Sequence, residues 1–176
     1  MSLSSISKEI SATVDSYQQL LHSVSETEFQ RTPAPGVWSY AEVFAHIFRS
    51  NMLMRPIIEK CANGQAIENK DSLGIPYRLV LFFRRFPPTM KFKVPPKLEH
   101  LVEKINKAQA QGLIDQFRKD LPELISMAEK ASPHQKVKHP RMGLLNAEQW
   151  MMFTELHTKH HARQLRRVGK LLANSH

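Results

Sequence analysis

Cysteine is nearly missing from this chain: Cys61 stands alone among 176 residues. A lone thiol excludes an intramolecular disulfide and a cysteine-rich zinc site, so any metal must be held by histidine and carboxylate. Cys61 also lacks a local base or helix N-terminus to activate it as a nucleophile. Long apolar runs are missing too. The longest covers residues 79–83, far short of the roughly 20 residues that span a bilayer. The opening Met1-Ser2-Leu3-Ser4-Ser5-Ile6-Ser7-Lys8-Glu9 has no basic stretch followed by an apolar core, so no secretory signal is read. These absences predict a cytoplasmic protein with no membrane partner. Glycine numbers six, with no glycine-rich phosphate loop, no serine nucleophile elbow and no paired-carboxylate motif. Nowhere is a β period sustained, and no internal repeat occurs.

What the chain has in excess is positive charge, +9 with a pI near 9.9. Such a balance suits nucleic acid, an anionic surface or an anionic small substrate. The cations are scattered, among them Arg84, Arg85, Lys91, Lys93, Arg163, Arg166 and Arg167. No basic tail, zinc finger or aromatic-rich ribonucleoprotein strand accompanies them, so nucleic acid is not an expected partner. An apolar fraction of 41% supports a folded globule, and the length suits one domain over residues 1–176.

Helical spacing dominates. Ile6, Ile10, Val14, Tyr17, Leu21 and Val24 recur at three- and four-residue steps, predicting a helix over 5–24. Pro33, Pro35 and Gly36 mark a loop over 25–38. Ser39 with Glu42 forms a capping-box pattern, opening a second helix over 40–62 that Pro56 kinks or ends. A loop over 63–75 and a short helix over 77–86 follow. Pro87, Pro88, Pro95 and Pro96 predict an extended excursion over 87–97. A third helical region over 98–131 contains Gly112 and Pro122, which argue for a break. Residues 132–145 read as loop. Asn146 with Gln149 caps a final helix running to about Leu172. The fold expected is all-α, a four-helix bundle with a long crossover and a short extra helix.

Within the final helix lies His157-Thr158-Lys159-His160-His161. His157 and His161 stack one turn apart on a stripe shared with Trp150, Phe153, Thr154, Gln164, Leu165, Val168 and Leu172. Two imidazoles so placed offer a metal two nitrogen ligands. His46, just inside the capped second helix and beside its core stripe, is the best third ligand. If the second and fourth helices face each other, His46, His157 and His161 converge on one Zn²⁺ or Ni²⁺ with a coordination position open. The competing reading is three hydrogen-bonded core histidines. His160 flanks the stripe with Leu156, Arg163 and Arg167. His22, His100, His134 and His176 show no partner pattern and read as surface. Trp38 and Trp150, each near a helix start, read as core packing or a hydrophobic staple.

Several of these pieces resemble the DinB/YfiT-like superfamily. They are Trp38-Ser39-Tyr40-Ala41-Glu42-Val43-Phe44-Ala45-His46 and the C-terminal third. The latter is similar to a DinB-like branch of unknown function, through His139-Pro140, Gly143, Glu148-Gln149-Trp150, His157, His160-His161 and Gln164. The proline-rich residues 86–96 are similar to that branch as well. The likeness runs from about residue 30 to 168; Arg141-Met142 departs from it where an aromatic pair is common. The resemblance implies a four-helix bundle, a three-histidine metal site falling on His46, His157 and His161, and in many members a homodimer. It also implies metal-dependent chemistry on low-molecular-weight thiols.

The expected function is therefore transfer of a small thiol to an electrophilic small-molecule substrate, with a divalent metal and the thiol as cofactors. Gln164 or His160 would orient a ligand or substrate, and Arg163 and Arg167 would bind a thiol carboxylate. Two alternatives stand. A metal-dependent hydrolase needs a general base, and Glu155, the nearest carboxylate, is expected to point away from the histidines. A non-catalytic metal- or ligand-binding bundle needs none.

Overall fold

The computed structural model describes residues 2–86 and 96–174. Helix α1 (Leu3–Ser23) buries Ile6, Ile10, Val14, Tyr17 and Leu21, the stripe its spacing dictates. The loop that follows holds one short helix, α2 (Glu26–Gln30), capped by Ser25. The Ser39–Glu42 capping box forms and starts α3 (Tyr40–Met52). The second helix breaks at Leu53, not at Pro56, and α4 (Met54–Ala62) follows. Pro56 sits in the first turn of α4, where the missing N–H has no helical partner to lose.

After α4 come β1 (Ile67–Glu68), α5 (Ile75–Phe83) and a 3-10 helix (Pro96–Leu101). The excursion expected over 87–97 lies outside the described residues as far as Pro95. Helix α6 (Lys107–Lys130) starts later than expected, at an Asn106–Gln109 capping box, and runs unbroken through Gly112 and Pro122. Both are exposed, while Ile114, Phe117, Leu121, Leu124 and Ile125 hold its inner face.

The stretch expected as loop after α6 is instead a hairpin, β2 (Gln135–His139) and β3 (Gly143–Asn146), with β1 added to give an antiparallel sheet ordered β1-β2-β3. Its strands are too short to show a period. Polarity is inverted as well: Lys136 is buried, its Nζ donating to Asn69 Oδ1 at 3.0 Å. Helix α7 (Ala147–Ala173) closes the chain behind the Asn146–Gln149 capping box.

Helices α1, α3, α6 and α7 form a four-helix bundle in which α1 and α3 each pack against both α6 and α7. Across the middle, Tyr17 meets Phe44 and Phe48 edge-on at 5.2 and 5.3 Å. A buried polar chain sets the register of α3 and α7. Tyr17 Oη donates to Thr158 O (3.0 Å), Asn51 Nδ2 to Thr158 Oγ1 (3.3 Å), and Thr158 Oγ1 to Thr154 O (2.7 Å). Buried groups of this kind must find partners, so sliding either helix by one turn would orphan them. That register brings residue 46 alongside residues 157 and 161. Among the described residues no helix is long and apolar enough to cross a membrane.

Candidate metal centre

The imidazoles of His46, His157 and His161 come together, with one nitrogen from each lying within 4.8 Å of the others. Ring centroids of His46 lie 5.4 Å from His157 and 4.8 Å from His161. Nε2 of His157 and Nε2 of His161 are 3.0 Å apart. His46 and His161 are buried and His157 is half-buried.

Burial is the first cause that keeps all three neutral. It lowers His46 to about 4. His157 is held well below the ordinary histidine range by burial and then by His161 and His46, and His161 by burial and then by His46 and His160. Neutral imidazoles are the ligating form. One proton position is fixed by geometry. An amide oxygen only accepts, so the 2.7 Å contact between His161 Nδ1 and Gln164 Oε1 puts the His161 proton on Nδ1. Nε2 of His161 is then a bare lone pair, facing His157. His46 Nδ1 is buried without a hydrogen-bond partner among the described residues. Converging ring nitrogens, an orphaned buried nitrogen on His46 and a tautomer set at His161 fit a divalent cation of the zinc or nickel kind.

Two rings wall this cluster. Trp38 stacks on His161 at 6.3 Å and 9° and touches His46 at 5.2 Å. Phe153 stacks on His157 at 5.3 Å and 16°. Trp38 packs against the core, as expected, and being half-buried it also lines the histidines. Trp150 also packs in the core, 3% exposed, with Nε1 donating to Val137 O. His160 stands edge-on to His161 at 5.2 Å and meets Phe86 at 5.3 Å. Arg163 is half-buried and Arg167 exposed, further along α7.

Sequence reading passed over His139 as more than a motif position. Its Nδ1 accepts from the backbone N–H of Arg141 and of Met142, both at 3.1 Å, and its ring meets Phe153 at 4.4 Å. Burial, then Arg141, lowers it to about 4. The closing of a turn by one ring has no periodic signature, although the His139-Pro140…Gly143 spacing is a turn signal.

Glu155 points away from the histidines, as expected. It is fully buried, ion-pairs with Arg84, and takes Lys159 Nζ at 2.8 Å. Lys159 also reaches Glu9 at 2.6 Å. Arg84 ends α5 in the left-handed region, φ +50°. His22, His100 and His134 are exposed; His176 lies outside the described residues. Cys61 is buried, which raises its thiol pKa. Two surface clefts of about 380 and 290 Å³ lie elsewhere, near Ser132 and Asn146 and near Asp71 and Lys136, and neither includes the three histidines.

No curated protein matches the chain. Among solved structures, the chain is similar to TT2238, whose crystal structure is described as a four-helix bundle protein. The two are 17% identical with a TM-score of 0.60, over 94% of this chain and 99% of that one. At that identity the likeness shows the fold. A family model described as the DinB superfamily matches residues 9–165. Matched over nearly its whole length, and folded as that bundle, the chain belongs to the DinB superfamily.

Proposed function

We propose that this protein is a metal-dependent enzyme that transfers a low-molecular-weight thiol to an electrophilic small molecule. The single observation that carries the reading is the convergence of three neutral imidazoles from α3 and α7. His46, His157 and His161 would hold one Zn²⁺ or Ni²⁺. Bound there, such a cation supplies Lewis acidity, which favours the deprotonated form of a thiol at neutral pH. Gln164 holds the His161 proton on Nδ1, so that Nε2 is free to donate its lone pair. Trp38 and Phe153 keep water from the faces of His161 and His157. The protein would work as a cytoplasmic homodimer, each chain a single domain.

Hydrolysis is the weaker reading. It needs a carboxylate base near the histidines, and Glu155 is committed to Arg84 and Lys159 instead. A binding bundle without catalysis differs from the leading reading only in turnover.

Elemental analysis of the wild type, His46→Ala and His157→Ala tests the centre first. About one Zn²⁺ or Ni²⁺ per chain, lost in both variants, is expected. Turnover of electrophiles that requires an added thiol then supports transfer, and turnover without thiol supports hydrolysis. Wild type that takes up no metal on reconstitution would sink the reading.

A further inference from the structure

Seven large apolar side chains are exposed among the described residues, and four of them crowd onto the short helix α5: Ile75, Leu79, Phe82 and Phe83. Their exposures are 70, 49, 76 and 68%. Steps of four, three and one residue put all four on one side of the helix, where the rings of Phe82 and Phe83 meet edge-on at 5.2 Å. The opposite side is used up by the bundle. Val80 and Leu81 are buried and Tyr77 is half-buried against the core, with α5 lying on α7. The end of α5 is fastened there as well. Arg84 ion-pairs with the buried Glu155, and Phe86 packs on His160 at 5.3 Å and on Phe153 at 6.4 Å. The outward face is therefore held outward, beside the histidine cluster. Single exposed apolar residues are ordinary, but a cluster of this kind marks a place where something docks.

Charge says what docks. From Ser72 through Leu98 the sequence has no acidic residue. Arg78 and Arg85 border the apolar face, both exposed and neither in an ion pair among the described residues. A second copy seated here by a two-fold axis would set the patch against itself. The arginines of both chains would then meet with no carboxylate from either α5. An anionic bilayer surface answers both features: its acyl boundary takes the rings and its phosphates take the guanidiniums. No described helix is long and apolar enough to cross a membrane, but lying in the interface needs only an apolar face bordered by cations.

We propose that α5 docks this protein on the surface of a bilayer that carries anionic phospholipid. Ile75, Leu79, Phe82 and Phe83 enter the boundary between headgroups and acyl chains, and Arg78 and Arg85 pair with phosphates. The proposal does not depend on the metal or thiol reading.

The test is co-sedimentation of the full-length protein with sucrose-loaded vesicles, made of phosphatidylcholine alone or of phosphatidylcholine and phosphatidylglycerol in equal parts. Wild type is expected to bind the mixed vesicles and not the neutral ones, and added salt weakens the binding. Phe82→Ser/Phe83→Ser changes exposed positions and leaves the core intact; it should bind roughly a hundredfold more weakly. Arg78→Gln/Arg85→Gln should lose about thirtyfold. Lys119→Gln/Lys130→Gln removes the same charge from exposed positions on α6 and should stay within about threefold of wild type. Wild type that leaves the mixed vesicles unbound overturns the proposal. So does binding that the serine variant retains, or that the α6 lysines reduce as much as the arginines do, the mark of net charge acting alone. Sedimentation velocity covers the other occupant. A wild-type dimer split by the serine substitutions, with no vesicle binding, would assign the face to a second copy and overturn the proposal too.

Discussion

Gln164 shows how much one side chain decides. Without its oxygen, the His161 proton is free to move to Nε2, the nitrogen that faces His157. The imidazole would then present a donor where a ligand needs a lone pair. Partners that fix a ligand's tautomer typically contribute 10–100-fold to metal affinity. Gln164→Leu is therefore expected to weaken zinc binding by roughly that factor while the circular dichroism spectrum is unchanged; Gln164→Glu, which keeps an acceptor oxygen, should lose much less. Competition with a chromophoric chelator measures both. Equal affinity for Gln164→Leu and wild type would remove Gln164 from the site. Trp38 and His139 work at the same scale, through ring contacts and a closed turn.

Between elements, Gly169 on α7 leaves room for Tyr40 on α3. A methyl group at 169 would sit 2.6 Å from the Tyr40 hydroxyl oxygen, while the next ring atom is 3.9 Å away. Tyr40 is only 3% exposed, so its ring has little room to swing aside. Gly169→Ala should then destabilise by about 1–3 kcal/mol through overpacking, despite a helix-propensity gain of about 1 kcal/mol. In a Tyr40→Phe background the clash disappears, and the same substitution should be neutral or stabilising. Urea unfolding of the four proteins reads the reversal; a like-signed effect in both backgrounds would refute this account of the α3–α7 contact. Helices were legible where apolar residues kept a period or a cap marked a start: the stripes of α1 and α7 and the caps at Ser39 and Asn146 located α1, α3 and α7, and with them His46, His157 and His161. The hairpin was not, because its strands are short and the buried residue of β2 is Lys136, held by Asn69, with only Leu145 buried on β3. The break at Leu53 carries no breaker residue, and the partner of Glu155 is 71 positions away at Arg84. Contacts of that range leave no mark on local spacing. Spacing does not show that Trp38, besides packing on the core, lines the histidines, because its neighbours His46 and His161 lie on two different helices.

At the scale of the whole molecule, the histidine-rich end of the bundle ties stability to protons. His46 and His139 titrate near 4 in the folded chain, against 6.5 for an unperturbed histidine. Below pH 6.5 the unfolded chain binds the more protons, so folding stability falls as pH falls. The contribution of these rings is complete above pH 6.5 and is lost progressively down to about pH 4. Each shift corresponds to about 3 kcal/mol, large against the 5–15 kcal/mol by which domains are usually stable. Metal-free protein is thus expected to show a urea midpoint that drops steadily from pH 7 to pH 5, helped by growing repulsion in a chain already at +9. Zinc acts in the opposite direction. At about 100 times its dissociation constant it adds roughly 2.7 kcal/mol, or about 5–10 °C in melting temperature for a chain of this size. The pH dependence of that increment is the sharper test. His46 competes with protons only near its folded value of about 4, and His157 and His161 are held well below the ordinary histidine range, so the increment should hold from pH 7 to about pH 5 and begin to fall toward pH 4 as His46 protonates. Ligands assembled by the metal from ordinary exposed histidines would begin losing it at pH 6.5. Melting curves with and without zinc across that range distinguish a site built by the bundle from one built by the ion.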